Sequence, residues 1–280
     1  MKIIKNIPVQ GKHQKPILTD LFFLENKQAK DIVIFCHGYK GFKDWGAWNL
    51  VAKTFAKQNI FFVKINFSHN GGTVKQPIDF PDLEAFGNNN YTKELDDIDS
   101  LLNWISINED IQSEINLKKI TLIGHSRGGG IVTLKAAEDS RITTIVSWAG
   151  VSDFGSRFPK KELLSSWKNT GVYHVINGRT KQKMPHYFQF YSNFQQHKKR
   201  LNIQKSAKKL NIPHLIIHGN KDTSVSLQEA QNLHKWNPDS TLQIIENANH
   251  TFQSAHPWEN TFLPKQLELV VTTTVRFLTS

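Results

Sequence analysis

Cysteine and long apolar runs are scarce in this 280-residue sequence. The single cysteine, Cys36, excludes an intrachain disulfide and a cysteine-rich metal site, and it favours a reducing compartment. No stretch approaches the about 18 consecutive apolar residues of a membrane span. The N-terminus is positively charged but lacks the apolar core of a signal peptide. We therefore expect a cytoplasmic protein without a membrane span.

Sequence motifs for nucleotides and zinc are also absent. The chain has neither a Walker loop nor a His-Glu-x-x-His segment. We therefore expect neither a cofactor nor a metal.

Acidic residues nearly disappear between positions 151 and 210. This stretch holds 13 Lys and Arg but only Asp153 and Glu162, so it accounts for the whole net charge of +11. A solvated basic face is the simplest interpretation. The charge could also attract anionic substrates such as aryl carboxylates, or contact an anionic membrane or nucleic acid. Because the interleaved aromatics suit packing and a pocket, we expect no nucleic acid partner.

Strand and helix patterns alternate through the rest of the chain. Apolar, β-branched runs predict strands at 31–36, 60–67, 119–124, 142–148, 213–218 and 241–246. Helical spacing predicts helices at 45–57, 127–137, 227–236 and 263–278. A further helix is predicted to begin after an N-cap at Thr92. Residues 69–90 are predicted to form a long polar loop. This alternation predicts an α/β fold, with a mostly parallel sheet and helices on both faces.

The central motif is Gly124-His125-Ser126-Arg127-Gly128, between a predicted strand and a predicted helix. That context is required for a nucleophile elbow, a tight turn in which glycines leave room around an exposed serine. The turn places the serine at a helix N-terminus, where unpaired N–H groups favour negative charge. We predict that Ser126 is the nucleophile.

A serine hydroxyl needs a base, and the base needs an orienting acid. In this arrangement the chain order is Ser, then acid, then His, at the carboxyl ends of strands. Asp222 and His250 each follow a predicted strand in that order, and we predict them as acid and base. Asp153 remains an alternative acid and His256 an alternative base.

The oxyanion of a tetrahedral intermediate needs preorganised N–H donors. One expected donor is the N–H of Arg127, directly after the serine, and the other is the N–H of Tyr39, in the loop after the strand at 31–36. Next to it, His37 and Gly38 are candidate substrate contacts, although they could form an ordinary turn.

Two further residues are candidate substrate contacts. His125 belongs to the serine motif itself. Trp148 ends a predicted strand and could wall an acyl pocket, or equally pack in the core.

These motifs resemble the α/β-hydrolase superfamily over roughly residues 30–280. Within it, segments 37–39, 67–71, 124–129, 217–222 and 249–252 resemble bacterial dienelactone-hydrolase-like and feruloyl-esterase-like proteins. Two departures matter: dienelactone hydrolases have a cysteine nucleophile where this chain has Ser126, and the lipase-type His-Gly-Gly-Gly loop is absent. The resemblance implies one α/β-hydrolase domain, residues 1–280, with 151–210 inserted as a small helical cap that forms one wall of the pocket.

The expected function is a serine hydrolase of the carboxylesterase type, acting on a small-molecule ester with a small or aromatic acyl group. A small peptidase or amidase with the same fold is the alternative enzyme. A non-catalytic protein that binds an anionic partner through the basic cap is the alternative of another class. The sequence leaves monomer and homodimer both open.

Overall fold

The computed structural model describes residues 1–279 and contains ten strands and nine α-helices in that range. The strands are β1 (Lys2–Val9), β2 (Ile17–Phe23), β3 (Lys30–Cys36), β4 (Phe61–Asn66), β5 (Ile115–His125), β6 (Thr144–Trp148), β7 (Val172–Ile176), β8 (Lys183–Tyr187), β9 (His214–Gly219) and β10 (Thr241–Ile245). The helices are α1 (Trp48–Lys57), α2 (Leu83–Gly87), α3 (Tyr91–Ile107), α4 (Arg127–Ala136), α5 (Lys161–Thr170), α6 (Gln189–Gln196), α7 (Ile203–Ala207), α8 (Leu227–Trp236) and α9 (Lys265–Thr279).

Eight strands form one twisted sheet in the order β1-β2-β4-β3-β5-β6-β9-β10. From β4 to β10 every neighbouring pair is parallel, whereas β1 and β2 are antiparallel to their neighbours. The predicted mostly parallel sheet is confirmed. The sequence patterns did not predict the two antiparallel strands at its edge.

The sheet is covered on both faces, because helices pack on each side of its largely buried inner strands. All residues of β4 are buried, as expected for a strand between two helix layers. On one face α1 and α9 pack with Phe55 and Val270, and on the other α3 and α4 pack with Ile98 and Ile131. The two helix layers agree with the expected fold class.

The predicted start of α3 is wrong by two residues. Asn90, not Thr92, is the N-cap, and its side-chain oxygen accepts the Lys93 N–H at 3.0 Å. The Thr92 hydroxyl donates to the same Asn90 oxygen at 2.8 Å. Both residue types cap helices well, so local preference did not separate them.

The predicted loop at 69–90 also contains structure. The short helix α2 begins after Asp82, whose carboxylate accepts the Ala85 N–H at 2.8 Å. An Asp cap of this kind stabilises even a single turn of helix.

The stretch 151–210 lies between β6 and β9 along the chain, yet these strands are neighbours in the sheet. We call residues 151–210 the cap. It holds the helices α5, α6 and α7, as expected, and also the antiparallel hairpin β7-β8, which the sequence patterns did not predict. The β-branched and aromatic residues of β7 favour a strand, and Trp167 Nε1 donates to the His186 carbonyl at 2.8 Å, which ties α5 to β8. The division into one domain with a cap stays a prediction.

None of the helices within residues 1–279 is long and apolar enough to cross a membrane. The cytoplasmic location stays a prediction.

Candidate active site

Ser126 lies in the sharp turn between β5 and α4. Its backbone angles, φ 57° and ψ −119°, are rare for a residue with a side chain and cluster at functional sites. A methyl group at Gly124 would collide with the Gly128 carbonyl, and one at Gly128 with the carbonyl of Cys36. Both flanking glycines are therefore required for this turn, in agreement with the sequence pattern.

The loop after β3 runs against the nucleophile turn. A Cβ at Gly38 would lie 2.9 Å from Ser126 Cβ, so this loop packs directly beside the serine. The Gly41 N–H donates to the Gly38 carbonyl at 3.0 Å, and Lys40 has a left-handed φ of 53°, as in a type II turn. This turn brings Tyr39 to the wall of the cavity that also contains Ser126.

Asp222 and His250 are hydrogen-bonded to each other. His250 Nδ1 donates to Asp222 Oδ2 at 2.7 Å, and the Asp222 side chain is fully buried. The other carboxylate oxygen accepts the N–H groups of Ser224 at 2.8 Å and Val225 at 2.9 Å. Burial alone would raise the pKa of Asp222, but hydrogen bonds from His218 and His250 outweigh it and hold that pKa well below its usual range.

Neither alternative meets the predicted partners. The carboxylate of Asp153 accepts the N–H groups of Gly155 and Ser156, which satisfies its own turn. His256 Nδ1 accepts the Gly46 N–H at 2.9 Å. The structure therefore brings together Asp222 and His250, not Asp153 or His256.

One cavity of about 630 Å³ contains both Ser126 and His250. Tyr39 and Arg127, the expected oxyanion donors, line the same cavity. Between the described side chains of Ser126 and His250 no hydrogen bond is formed, which is common before a substrate tightens such a site. Arg127 is the first residue of α4, so its N–H has no partner within the helix.

The walls of this cavity are rich in aromatic side chains contributed by the cap and α3. They include Tyr91, Phe154, Phe158, Trp167, Tyr173 and Phe190. A separate cavity of about 740 Å³ shares Phe158 and Pro159 with it, and its described lining holds neither Ser126 nor His250. The aromatic cavity is therefore the one that offers room for a substrate beside the serine.

The four candidate substrate contacts lie outside the described lining of this cavity. Trp148 is fully buried in the core, where its Nε1 donates to the Thr274 hydroxyl at 3.1 Å. The buried His37 ring bonds the Gly38 carbonyl through Nδ1 at 2.8 Å. His125 Nε2 donates to the His250 carbonyl at 2.9 Å, and burial lowers the pKa of His125 to about 3.

A comparison with known protein families identifies the family of this chain. A family described as the alpha/beta hydrolase fold matches residues 87–254, more than half of the chain. The chain belongs to the alpha/beta hydrolase fold family.

One similar protein matches only part of this chain. An uncharacterized peptidase, YtmA, of Bacillus subtilis (strain 168) is 33% identical over 123 residues, which are 43% of this chain and 42% of that protein. The match therefore spans less than half of the relative's length.

Among solved structures, Est1E of Butyrivibrio proteoclasticus with bound ferulic acid has a TM-score of 0.72 at 16% identity, covering 98% of both chains. A dienelactone hydrolase of Anabaena variabilis has a TM-score of 0.66 at 16% identity, covering 99% of this chain and 97% of that one. At such low identity these structures show the shared fold.

The sequence patterns did not predict three residues that lie at the candidate site of this alpha/beta hydrolase. His218 is fully buried and its Nε2 donates to the Val225 carbonyl at 2.8 Å, lying 3.3 Å from Asp222 Oδ2. Glu94 is buried against the Arg127 guanidinium at 2.9 Å. His186 bonds the Tyr39 hydroxyl through Nε2 at 2.7 Å. His218 has a signal in sequence, four residues before Asp222 at the end of an apolar run; the other two contacts link distant segments.

Among residues 1–279, no group of three or more His, Cys, Asp or Glu side chains could hold a metal ion.

Proposed function

We propose that this protein is a serine hydrolase that cleaves carboxylic ester bonds of small or aromatic acyl substrates. The Asp222–His250 hydrogen bond, with His250 facing the same cavity as Ser126, carries the proposal. Membership of the alpha/beta hydrolase fold family supports hydrolysis as the reaction class.

In the proposed mechanism, Ser126 Oγ attacks the ester carbonyl while His250 Nε2 accepts the hydroxyl proton. The carbonyl π bond breaks and the oxygen becomes an oxyanion. When the tetrahedral intermediate collapses, the carbonyl π bond forms again, the bond to the alcohol oxygen breaks, and His250 gives its proton to that oxygen. The acyl group remains bound to Ser126 as an acyl-enzyme. Water then attacks the acyl carbonyl in the same way, and the second collapse releases the acid and free Ser126. The ionised Asp222 holds the His250 ring and stabilises its charged form.

The N–H groups of Tyr39 and Arg127 are the proposed oxyanion donors. Both residues line the cavity beside Ser126, and the close approach of Gly38 to Ser126 supports a donor from that loop. Donors that are already in place stabilise the developing charge without reorganisation.

The aromatic walls support a flat or small acyl group, because such surfaces bury an apolar ring. A peptidase or amidase is the second candidate enzyme, favoured by the likeness to a relative named as an uncharacterized peptidase. The same residues could form an acyl-enzyme from an amide.

A non-catalytic protein that binds an anionic partner through the cap is the candidate of another class. Such a protein would need neither the unusual Ser126 backbone nor the buried Asp222 paired with His250. These two features favour the enzyme.

A fluorophosphonate probe tests the nucleophile. We expect covalent labelling of the wild type, complete loss in Ser126→Ala, and unchanged labelling in Ser192→Ala, a matched variant at an exposed serine of the cap. Labelling that survives in Ser126→Ala would overturn the proposal.

The bond type is tested by comparing p-nitrophenyl esters with aminoacyl p-nitroanilides. We expect a higher kcat/KM for the esters. Faster turnover of the anilides would replace the esterase proposal with the peptidase.

A further inference from the structure

Lys40 differs from the other cations of the catalytic cavity. Three described residues of the lining carry a permanent or near-permanent positive charge, and they are Lys40, Arg127 and Arg157. Arg127 is paired with the buried Glu94 at 2.9 Å, and Arg157 with Glu229. The ammonium of Lys40 has no such partner among the described carboxylates, and it lies 5.2 Å from the centroid of the Tyr39 ring.

The remaining lining does not compensate this charge. Among the described residues that line the cavity, none is Asp or Glu. Lys40 is half-buried, and burial lowers its pKa from the ordinary value. The same electropositive surroundings act on His186, whose pKa is lowered to about 3 by burial and further by Arg127 and Lys40. A partly desolvated cation without a counter-ion is unfavourable, so this wall is suited to receive an anion.

Lys40 lines the same cavity as Ser126 and His250. It directly follows Tyr39, the proposed oxyanion donor, within the turn closed by Gly38 and Gly41. The left-handed backbone of Lys40 belongs to this turn. An anionic group bound by Lys40 would therefore belong to the substrate that occupies this cavity.

We propose that the cavity selects esters that carry a free carboxylate near the scissile bond, with Lys40 as the cation that binds this carboxylate. This inference rests on the proposed esterase function and names its substrate class. The carboxylate can lie on the acyl or on the alcohol side, and the two arms of the test separate these cases.

The test uses pairs of esters of closely similar size, of which one carries a carboxylate and the other a neutral group. For the acyl side, p-nitrophenyl hydrogen adipate is compared with p-nitrophenyl 6-oxoheptanoate, after subtraction of spontaneous hydrolysis. For the alcohol side, 4-carboxyphenyl hexanoate is compared with 4-carbamoylphenyl hexanoate. In at least one arm, we expect kcat/KM to be about tenfold higher for the anionic ester, which corresponds to about 1.4 kcal/mol.

Two variants assign the preference to Lys40. Lys40→Gln should abolish the ratio of anionic to neutral kcat/KM, and Lys40→Arg should retain most of it. Lys168→Gln removes the same charge from an exposed position of α5 outside the cavity lining, and it should leave the ratio unchanged. In the wild type the ratio should fall as ionic strength rises, since salt screens partly exposed charges.

Failure of this inference differs from failure of the proposed function. Turnover of the neutral esters without a charge preference in either arm, or a preference that persists in Lys40→Gln, overturns the role of Lys40 alone. Absence of fluorophosphonate labelling at Ser126 overturns the esterase and this inference together.

Discussion

At the residue scale, Ser126 has an unusual backbone conformation at the turn between β5 and α4. A left-handed φ costs a residue with a Cβ about 1–3 kcal/mol and persists only where the surroundings impose it. Here the Ser126 N–H donates to the Trp148 carbonyl at 2.8 Å, and the Ser126 carbonyl accepts from Val151 at 3.1 Å. These bonds from the neighbouring strand end hold the turn, and the Ser126 side chain lines the cavity without a hydrogen bond to any described residue.

Asp222→Asn tests the orienting acid. An amide cannot hold the His250 Nδ1–H as the carboxylate does, so we expect kcat on a p-nitrophenyl ester to fall by about 10³–10⁴-fold. Asp153→Asn is the matched control, since that carboxylate only serves its own exposed turn, and it should change kcat less than twofold. The reverse result, a large loss in Asp153→Asn alone, would assign the acid to the other strand end. Thermal unfolding by circular dichroism checks that both variants fold.

Asp97 predicts a pH dependence of stability. Burial raises the pKa of Asp97 to about 7, although the Ser68 N–H, which donates to Oδ2 at 2.8 Å, acts in the opposite direction. In the unfolded chain this carboxyl has its ordinary pKa near 3.8. Because the folded pKa is the higher one, its contribution to stability is fully present below about pH 4 and is lost as the pH rises to about 7.

In Asp97→Asn this titration is removed. The free energy of unfolding of the variant, relative to wild type, should therefore increase by more than about 1 kcal/mol between pH 5 and pH 8. Urea denaturation at the two pH values measures it, and the exposed Asp110→Asn serves as the control. A relative stability that does not change with pH would contradict the assignment.

At the element scale, a hydrogen bond between Tyr39 and His186 joins the loop after β3 to the cap. The Tyr39 hydroxyl and His186 Nε2 are 2.7 Å apart, and His186 belongs to β8. Burial raises the pKa of Tyr39 to about 12 and lowers that of His186 to about 3, so both groups stay neutral near neutral pH. The hairpin therefore supports the loop that carries the proposed Tyr39 donor.

Removing this bond should impair the transition state more than substrate binding. We expect Tyr39→Phe and His186→Leu each to lower kcat about tenfold with little change in KM, because the proposed N–H donor is less well fixed. The double variant should lose no more than either single variant, as residues in direct contact are not additive. Kinetics of the four proteins on one ester measure the coupling. Additive losses would show that the two side chains act separately.

The elements that the sequence predicted best have local signals. Helix α8 was predicted with its observed bounds, since the Ser226 cap and its apolar spacing lie within a few residues. The strands β1, β2, β7 and β8 were not predicted. Much of β1 is exposed, and β7 is only half-buried, so neither has a continuous apolar run. Each depends on pairing with another strand, which a local pattern does not record.

At the scale of the whole molecule, a largely buried group of charges joins the sheet to the segment that follows β3. Lys64 Nζ of β4 lies 2.8 Å from Asp20 of β2 and 2.6 Å from Asp44. Lys43 Nζ lies 2.9 Å from the same Asp20. Burial by itself would raise the pKa of Asp44, but the charges of Lys64 and Lys43 hold it far below its usual range. Asp20, Asp44, Lys43 and Lys64 thus fix the segment just beyond Tyr39 against the sheet.

Lys64→Met should destabilise the fold by about 3–5 kcal/mol, because it leaves buried carboxylates without one of their cations. Urea denaturation measures the change. Lys53→Met, on the exposed surface of α1, makes the same substitution without breaking an ion pair and should stay within about 0.5 kcal/mol of wild type. A loss below 1 kcal/mol in Lys64→Met would mean that the remaining charges rearrange.

The sequence by itself determined the fold class and the glycine-flanked turn around Ser126, and it predicted a serine, an acid and a histidine in that chain order. These signals are local, because strand periodicity and the steric need for glycine act over a few residues. Only the tertiary structure decided that Asp222 meets His250 rather than His256, that a cap hairpin reaches Tyr39, and that Lys40 alone among the described cavity cations lacks a carboxylate partner. Such contacts join segments far apart in the chain, and their geometry is fixed by the packing of the sheet and the cap.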